Sequence, residues 1–440
     1  MFENIIEQSA VYQLHDDIQN GCFASSVLFF GPGESGKGSA ALELARVLSC
    51  ENDAKWKCSC NSCNKHRYLV HDDLLVLGNR LFAAEIAAGS SVFLRNPSNR
   101  NAKLLFYRSI RKLMIRFSPV ILHDDPKLNK ILPVLQSLDD GLTELIELDE
   151  NPGQTVVEKL CNSLIKDSQT LEKEGMSGTI PIGHIRKASY WCRLAPEGKQ
   201  KTFIIENAEN MRDEARNSLL KLLEEPPKSV CIVLTALNRN SVIPTILSRL
   251  RPYRFLKRSE ESEKEIIRRV FQDSAEEKTA GFSGSYLSAY LEAFVPQSNE
   301  KLYPLAAWFL VSLARITALS FKKAGLETPG FITALGERYA QITDSSGFER
   351  TLKSASVVKT ILSKSANFED ESFSRFLKIC LDLAGNVSRA SNDPQFIVYN
   401  DIFKKHIGET VTAVEVLNIN TAIALEALFF NLKKEVQKAA

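Results

Sequence analysis

Residues Asn217–Arg249 read NSLLKLLEEPPKSVCIVLTALNRNSVIPTILSR, and this stretch decides the fold. Leu219, Leu220, Leu222 and Leu223 cluster at helical spacing. Pro226 and Pro227 stop that helix, because proline has no backbone donor and its ring clashes with the preceding turn. Val230 to Leu234 is a short apolar run between turn signals, the pattern of a buried strand. A polar turn follows, and then Ile243-Pro244-Thr245-Ile246-Leu247-Ser248-Arg249 predicts a helix ending in arginine. Helix, double proline, buried strand, polar turn and helix make one α/β unit.

The stretch resembles the core of the bacterial DNA polymerase III clamp-loader ATPases. There "N-x-L-L-K-x-L-E-E-P-P" precedes a buried strand and then "T-I-x-S-R-C". The first half matches almost letter for letter, and Leu250 stands where the family has cysteine. The resemblance is to both branches of the family, the γ/τ ATPase type and the δ′ type.

With 440 residues the chain is long enough for two to four domains. Its 44% hydrophobic and 25% charged residues are those of a soluble globular protein. The formal charge is +2, so any nucleic-acid contact has to come from a local patch. No charged-then-apolar leader opens the chain, which predicts a cytoplasmic protein. The longest apolar run, Leu305 to Phe321, contains Arg315 and reads as a buried core helix, not a membrane span. Nine cysteines, four of them between Cys50 and Cys63, suggest metal binding in a reducing compartment.

An amphipathic opening, residues 1–20, leads to an apolar strand, Ser26–Phe30. The strand runs into Gly31-Pro32-Gly33-Glu34-Ser35-Gly36-Lys37-Gly38-Ser39 and an Ala/Leu-rich helix. Strand, glycine loop and helix are the context of a phosphate-binding loop, with backbone N–H groups facing the anion and the lysine reaching its outer phosphates. ATP with Mg²⁺ is the ligand such loops take. The loop departs from G-x-x-x-x-G-K-[ST] at Gly38, where a hydroxyl would hold the metal. Ser39 is one residue late, and one residue turns a helical side chain by about 100°. Nucleotide binding, with or without hydrolysis, and an empty loop that keeps its fold are the readings of this stretch.

Cys50, Cys58, Cys60 and Cys63 supply four thiolates, enough for a closed structural Zn²⁺ site with no open position for water. His66 is a substitute ligand, and free thiols on a loop are the other reading. The resemblance implies a zinc-binding insert here, although Cys58-Ser59-Cys60 is one residue shorter than the family's C-x-x-C step. His71-Asp72-Asp73 and Leu74 to Leu77 resemble the family's next strand. The family pattern resumes near Ile182, so residues of about 79–178 are expected to be a helical insertion. In it Phe106, Ile110, Leu113, Met114 and Phe117 share one helical face. Lys103, Arg108, Arg111 and Lys112 lie mostly elsewhere, as a solvated face or a contact for DNA phosphates.

Thr202 to Ile205 resembles a Walker B strand. Glu206 and Asn207 then occupy the Asp-Glu positions that hold metal and activate water in active relatives. Asn207 cannot accept that proton. Ala236 and Leu237 stand where relatives carry a threonine pair that senses the γ-phosphate. Three hydrolysis elements are weakened together, so the chain's own ATPase is expected to be absent or weak. Arg249 matches the family's arginine finger, which reaches the nucleotide site of a neighbouring subunit and neutralises charge on the transferred phosphoryl group.

The resemblance therefore implies an α/β AAA+ P-loop module over residues 1–255, with a zinc insert at 50–63. A helical lid at 256–298 and an all-α collar at 299–440 follow. The last expected helix, Val411–Val436, contains Leu417-Asn418-Ile419-Asn420-Thr421 through Leu428 and resembles the family's "N-x-x-L-A-L-E-A-L-L". The function implied is that of a δ′-like stator supplying Arg249 in trans, in a hetero-oligomer with γ/τ and δ types. The implied wider partners are the sliding clamp and, through the complex, primed DNA, with no membrane. An active γ/τ-type ATPase and a non-catalytic scaffold are the competing readings.

Overall fold

Five strands form one all-parallel sheet in the order β2-β3-β4-β1-β5. They are β1 Ser26–Phe30, β2 Leu74–Leu77, β3 Lys201–Ile205, β4 Val230–Ala236 and β5 Arg251–Arg254. The first four are mostly apolar and almost wholly buried, as parallel sheets covered by helices require. The sequence reading missed β5. Its residues Arg-Pro-Tyr-Arg bury only Tyr253, and a proline is tolerated because the strand sits at the edge.

A computed structural model describes residues 1–149, 152–273, 285–294, 302–345, 354–364, 370–391, 393–415 and 419–439. The chain divides into two units, Met1–Val295 and Pro296–Ala440. Parts of the expected lid and collar, among them 274–284, 295–301 and 346–353, and Leu417 and Asn418 lie outside the described residues.

In the first unit α1 Ser9–Gln19, α2 Lys37–Ser49 and α3 Asn61–Arg67 come before β2. Gln8 ties the opening segment to the chain after β5, donating to the Leu256 carbonyl and accepting from its N–H. Between β2 and β3 run α4 Ala83–Arg95, α5 Arg100–Met114, α6 Pro119–Leu122, α7 Leu128–Glu147, α8 Gln154–Gly175 and α9 Ile182–Arg193. The expected helical character of this stretch is present. Its apolar face, however, does not close a core of its own: Phe106, Ile110 and Leu113 of α5 pack in one cluster with Ile267, Phe271 and Tyr290 from the segment after β5. That segment contains α12 Glu260–Ile266 and α13 Tyr286–Glu292. The double proline ends α10 Asp213–Glu224 as expected, and the helix before Arg249 is a single turn, α11 Pro244–Leu247.

The second unit is helical: α14 Leu302–Lys323, α15 Gly330–Arg338, α16 Ala340–Ser345, α17 Ser354–Lys364, α18 Asp370–Arg389, α19 Pro394–Glu415 and α20 Thr421–Ala439. Helix α14 is long and apolar enough to cross a bilayer by composition, yet 72% of its apolar window is buried inside the protein. Trp308 and Phe309 on it pack with Phe376 and Phe429. Val411, expected to open the last helix, lies within α19 instead. Asn420 opens α20 by accepting from the Ala422 N–H at 2.9 Å, the usual work of a capping asparagine.

Candidate functional site

Because all five strands run parallel, the sheet has two distinct edges. The glycine loop follows β1, Glu206 follows β3 and Ala236 ends β4, so these residues gather at the C-terminal edge, where ligands of open α/β sheets bind. Arg249 precedes β5 and Glu224 ends the helix before β4, which places them toward the opposite edge. Pairing of Val27 with Arg251 and of Phe30 with Arg254 sets at least about 10 Å of strand between Arg249 and its own loop. Arg249 therefore sits apart from the phosphate loop of its own chain.

The loop has the left-handed residue its turn needs, Gly36 at φ 92°, just before α2. Gly31 packs so tightly on β5 that a Cβ there would lie 2.1 Å from the Phe255 carbonyl oxygen. Gly33 is exposed. The Lys37 ammonium turns back onto its own loop, donating to the Gly31 carbonyl at 2.6 Å, to the Pro32 carbonyl and to Ser35 Oγ at 3.4 Å. Burial lowers its pKa to about 8, against the raising effect of Glu209 and Glu34. From outside, Arg258 donates to the Glu34 and Ser35 carbonyls at 3.1 and 3.2 Å. The sequence offered no signal for Arg258, since a lone arginine after an edge strand resembles any surface arginine.

Gly38 is the position on α2 that faces Glu206: a Cβ there would sit 3.3 Å from Glu206 Oε1. Ser39, one residue on, is exposed, as the 100° helical step requires. Glu206 is buried and paired with Arg116 from the short turn Ile115–Phe117 after α5. Asn207 takes a left-handed conformation, φ 50° and ψ 57°. Its side chain donates to Asn79 Oδ1 at 3.2 Å, and its N–H donates to Thr235 Oγ1 at 3.2 Å. Thr235, not Ala236 or Leu237, is thus the β4 hydroxyl that touches the segment after β3. Leu237 is exposed, with its N–H donating to Glu209 Oε1 at 3.0 Å.

The basic residues of α5 have internal partners, which neither reading of the basic helix anticipated. Lys112 pairs with Glu85, Arg111 with Asp139, Arg108 donates to the His66 and Arg67 carbonyls, and Lys103 to the Leu148 carbonyl. The apolar pattern of α5 was visible in the sequence; the carboxylates and carbonyls that its cations meet come from other segments.

Cys50, Cys58, Cys60 and Cys63 converge, with their four sulfurs all within 4.8 Å of one another. Cys50 Sγ lies 3.6 Å from Cys58 Sγ and 4.0 Å from Cys60 Sγ. A tetrahedral ion with Zn–S bonds of about 2.3 Å sets sulfurs about 3.8 Å apart, so the cluster is close to the spacing such an ion needs. A hydrogen bond from the Cys60 N–H lowers the Cys58 pKa to about 6, and burial raises those of Cys50 and Cys63. Arg46 donates to Cys63 Sγ at 3.1 Å and favours a thiolate there. His66 is buried and stacked on His71, with ring centroids 4.2 Å apart, and does not join the sulfur cluster. Helix α2 alone, about 20 Å long, separates the cysteines from the phosphate loop.

A parallel sheet of this order, with a glycine loop after β1 and helices on both faces, defines a P-loop α/β module of the AAA+ clamp-loader type. The sequence pattern of the family described as "DNA polymerase III, delta subunit" matches residues 6–116 and 148–259, just over half of the chain, and the chain belongs to this family. The match continues through most of the stretch expected as an insertion and leaves 117–147 outside it. A protein of Mycoplasma pneumoniae described as "Uncharacterized protein MG007 homolog" is 29% identical over 125 residues, 27% of this chain. The chain spans about half the length, 49%, of that relative. The crystal structure of a DNA polymerase III gamma subunit-related protein from Thermotoga maritima aligns over 59% of this chain and 81% of its own, at 17% identity and a TM-score of 0.33.

Proposed function

We propose that this chain is the δ′-type subunit of the replicative clamp loader, a stator that does not hydrolyse ATP and lends Arg249 to a neighbouring ATPase. The observation that carries the reading is Glu206, which faces Gly38 on one side and is paired with Arg116 on the other. A carboxylate so engaged is a poor partner for a nucleotide-bound metal. Asn207, held by Asn79 and Thr235, has no carboxylate with which to activate water. Arg249 lies toward the other edge of the sheet, about one-third exposed and apart from its own phosphate loop, which supports a role on a neighbouring subunit's phosphates.

The remaining parts follow from the same reading. The four cysteines hold a structural zinc, residues 256–298 act as the lid and 299–440 as the collar that joins γ/τ and δ types. The assembly, working in the cytoplasm, places the sliding clamp on primed DNA. The test is ATP hydrolysis by the purified chain with Mg²⁺, followed by reconstitution with the other loader subunits. The expected result is no turnover by the chain alone and a loader whose ATPase depends on Arg249. Turnover by the isolated chain above that of a Lys37→Ala control would overturn the reading in favour of an active γ/τ-type subunit.

A further inference from the structure

Glu206 and Arg116 are ninety positions apart and both buried, their side chains 9% and 4% exposed. The second amino group of Arg116 binds Glu206 Oε2, and the first donates to the Lys112 carbonyl. The guanidinium lies over the Phe82 ring, 4.2 Å from its centroid. Arg80 lies against the same ring at 5.0 Å and pairs with Glu85 at 2.9 Å, and Lys112 binds that same carboxylate. Three cations therefore surround two carboxylates next to the first turn of α2.

A Mg²⁺ ion at Glu206 would need near-octahedral oxygen ligands. With Arg116 in place the usual ligands are missing or engaged: Gly38 has no hydroxyl, Asn207 is turned to Asn79, and Glu206 Oε2 is already taken by a guanidinium. A divalent ion would also approach Arg116 and Arg80 in a low-dielectric site, where like charges repel strongly. The residues do not fit the metal of an active P-loop site.

We propose that Arg116 is a built-in replacement for that metal, a permanent cation that neutralises Glu206 and pins the end of β3 to the helical stretch between β2 and β3. The inference rests on reading the chain as a subunit with a degenerate P-loop, and it names the residue that keeps the site shut. Geometry supports the assignment: planar, delocalised and weakly hydrated, guanidinium is the cation best suited to a buried carboxylate. The site then stays in one charge state whether or not nucleotide is near, which is what a stator requires.

The test uses Mn²⁺ as the metal probe on the full chain with its cysteine site occupied. Wild type and Glu206→Gln, which keeps an acceptor for Arg116, are expected to bind Mn²⁺ equally. Arg116→Met removes the resident cation and leaves a buried carboxylate unpaired. It should melt roughly 5 °C or more below wild type, gain one Mn²⁺ site, and recover part of the loss in millimolar Mn²⁺. Adding Glu206→Gln to Arg116→Met should abolish that site. A Mn²⁺ site in wild type that Glu206→Gln removes would overturn the inference, as would a folded Arg116→Met protein that gains none. If Arg116→Met does not fold, the comparison of wild type with Glu206→Gln decides alone. A Glu206-dependent metal site without ATP turnover sinks this inference and leaves the subunit reading in place, whereas turnover sinks both.

Discussion

Arg249 donates to Glu224 Oε1 at 2.7 Å, across the gap between the start of β5 and the end of α10. The same guanidinium donates to the Thr245 carbonyl at 2.6 Å and to Ser248 Oγ at 3.1 Å. Glu224 is half-exposed and Arg249 about one-third exposed, so the pair contributes little to folding, about 0–1 kcal/mol. On the proposed reading of Arg249, its use is in aiming the arginine. In a reconstituted loader, Arg249→Ala should lower the ATPase at least about 10-fold while assembly is unchanged. Glu224→Gln should lower it by a smaller factor, with melting within about 1 °C of wild type. An unchanged rate in Arg249→Ala would remove the finger role, and an unchanged rate in Glu224→Gln alone would remove the aiming role.

The cysteine cluster predicts one zinc per chain by metal analysis of protein purified without chelator. Cys63→Ser should lower that content below half an equivalent. It should also cost about 2 kcal/mol or more, because a bound structural ion adds its binding energy to folding. Zinc bound at full stoichiometry by the Cys63→Ser protein would show that the four sulfurs do not act together.

Lys37 carries a pH signature. Its folded pKa, about 8, lies below the ordinary 10.5 because of burial, so below pH 8 the folded state bears the cost of a buried charge. Between pH 8 and 10.5 the unfolded chain still binds that proton and the folded chain has lost it, so this contribution to stability rises with pH. Relative to Lys37→Met, wild type should gain roughly 1–3 kcal/mol between pH 7 and pH 10. A difference that stays flat over that range, measured by denaturant unfolding, would show that Lys37 is not desolvated.

Gly31→Ala tests the packing of the loop on β5. The added methyl carbon would meet the Phe255 carbonyl oxygen at 2.1 Å, a backbone atom with no flexible side chain to yield. A loss of about 3 kcal/mol or more is expected, in the range of severe overpacking. Gly33→Ala, with nothing within 4 Å of the added atom, should cost under about 1 kcal/mol.

Much of this architecture was legible because it is local. β1 and β2 appear with the bounds their apolar runs suggested, and β4 ends two residues later than expected. Four cysteines within fourteen positions needed only a short loop and one turn of α3 to converge. β5 was not legible, since its single buried residue, Tyr253, leaves no alternation to count. The basic face of α5 was misread for a different reason. Its pattern shows which residues avoid the apolar core but not whether water or a buried carboxylate waits on the other side.

The order of elements, the missing hydroxyl at Gly38 and the missing carboxylate at Asn207 are properties of the sequence by itself, because each depends on which residue type sits in a short motif. That Arg116 meets Glu206, that Thr235 supports Asn207, and that Glu224 holds Arg249 were decided only by the tertiary structure. Those contacts join separate segments of the chain, up to ninety positions apart. Which charge finds which partner depends on how the helices between β2 and β3 pack, and periodicity along one segment carries no record of that packing.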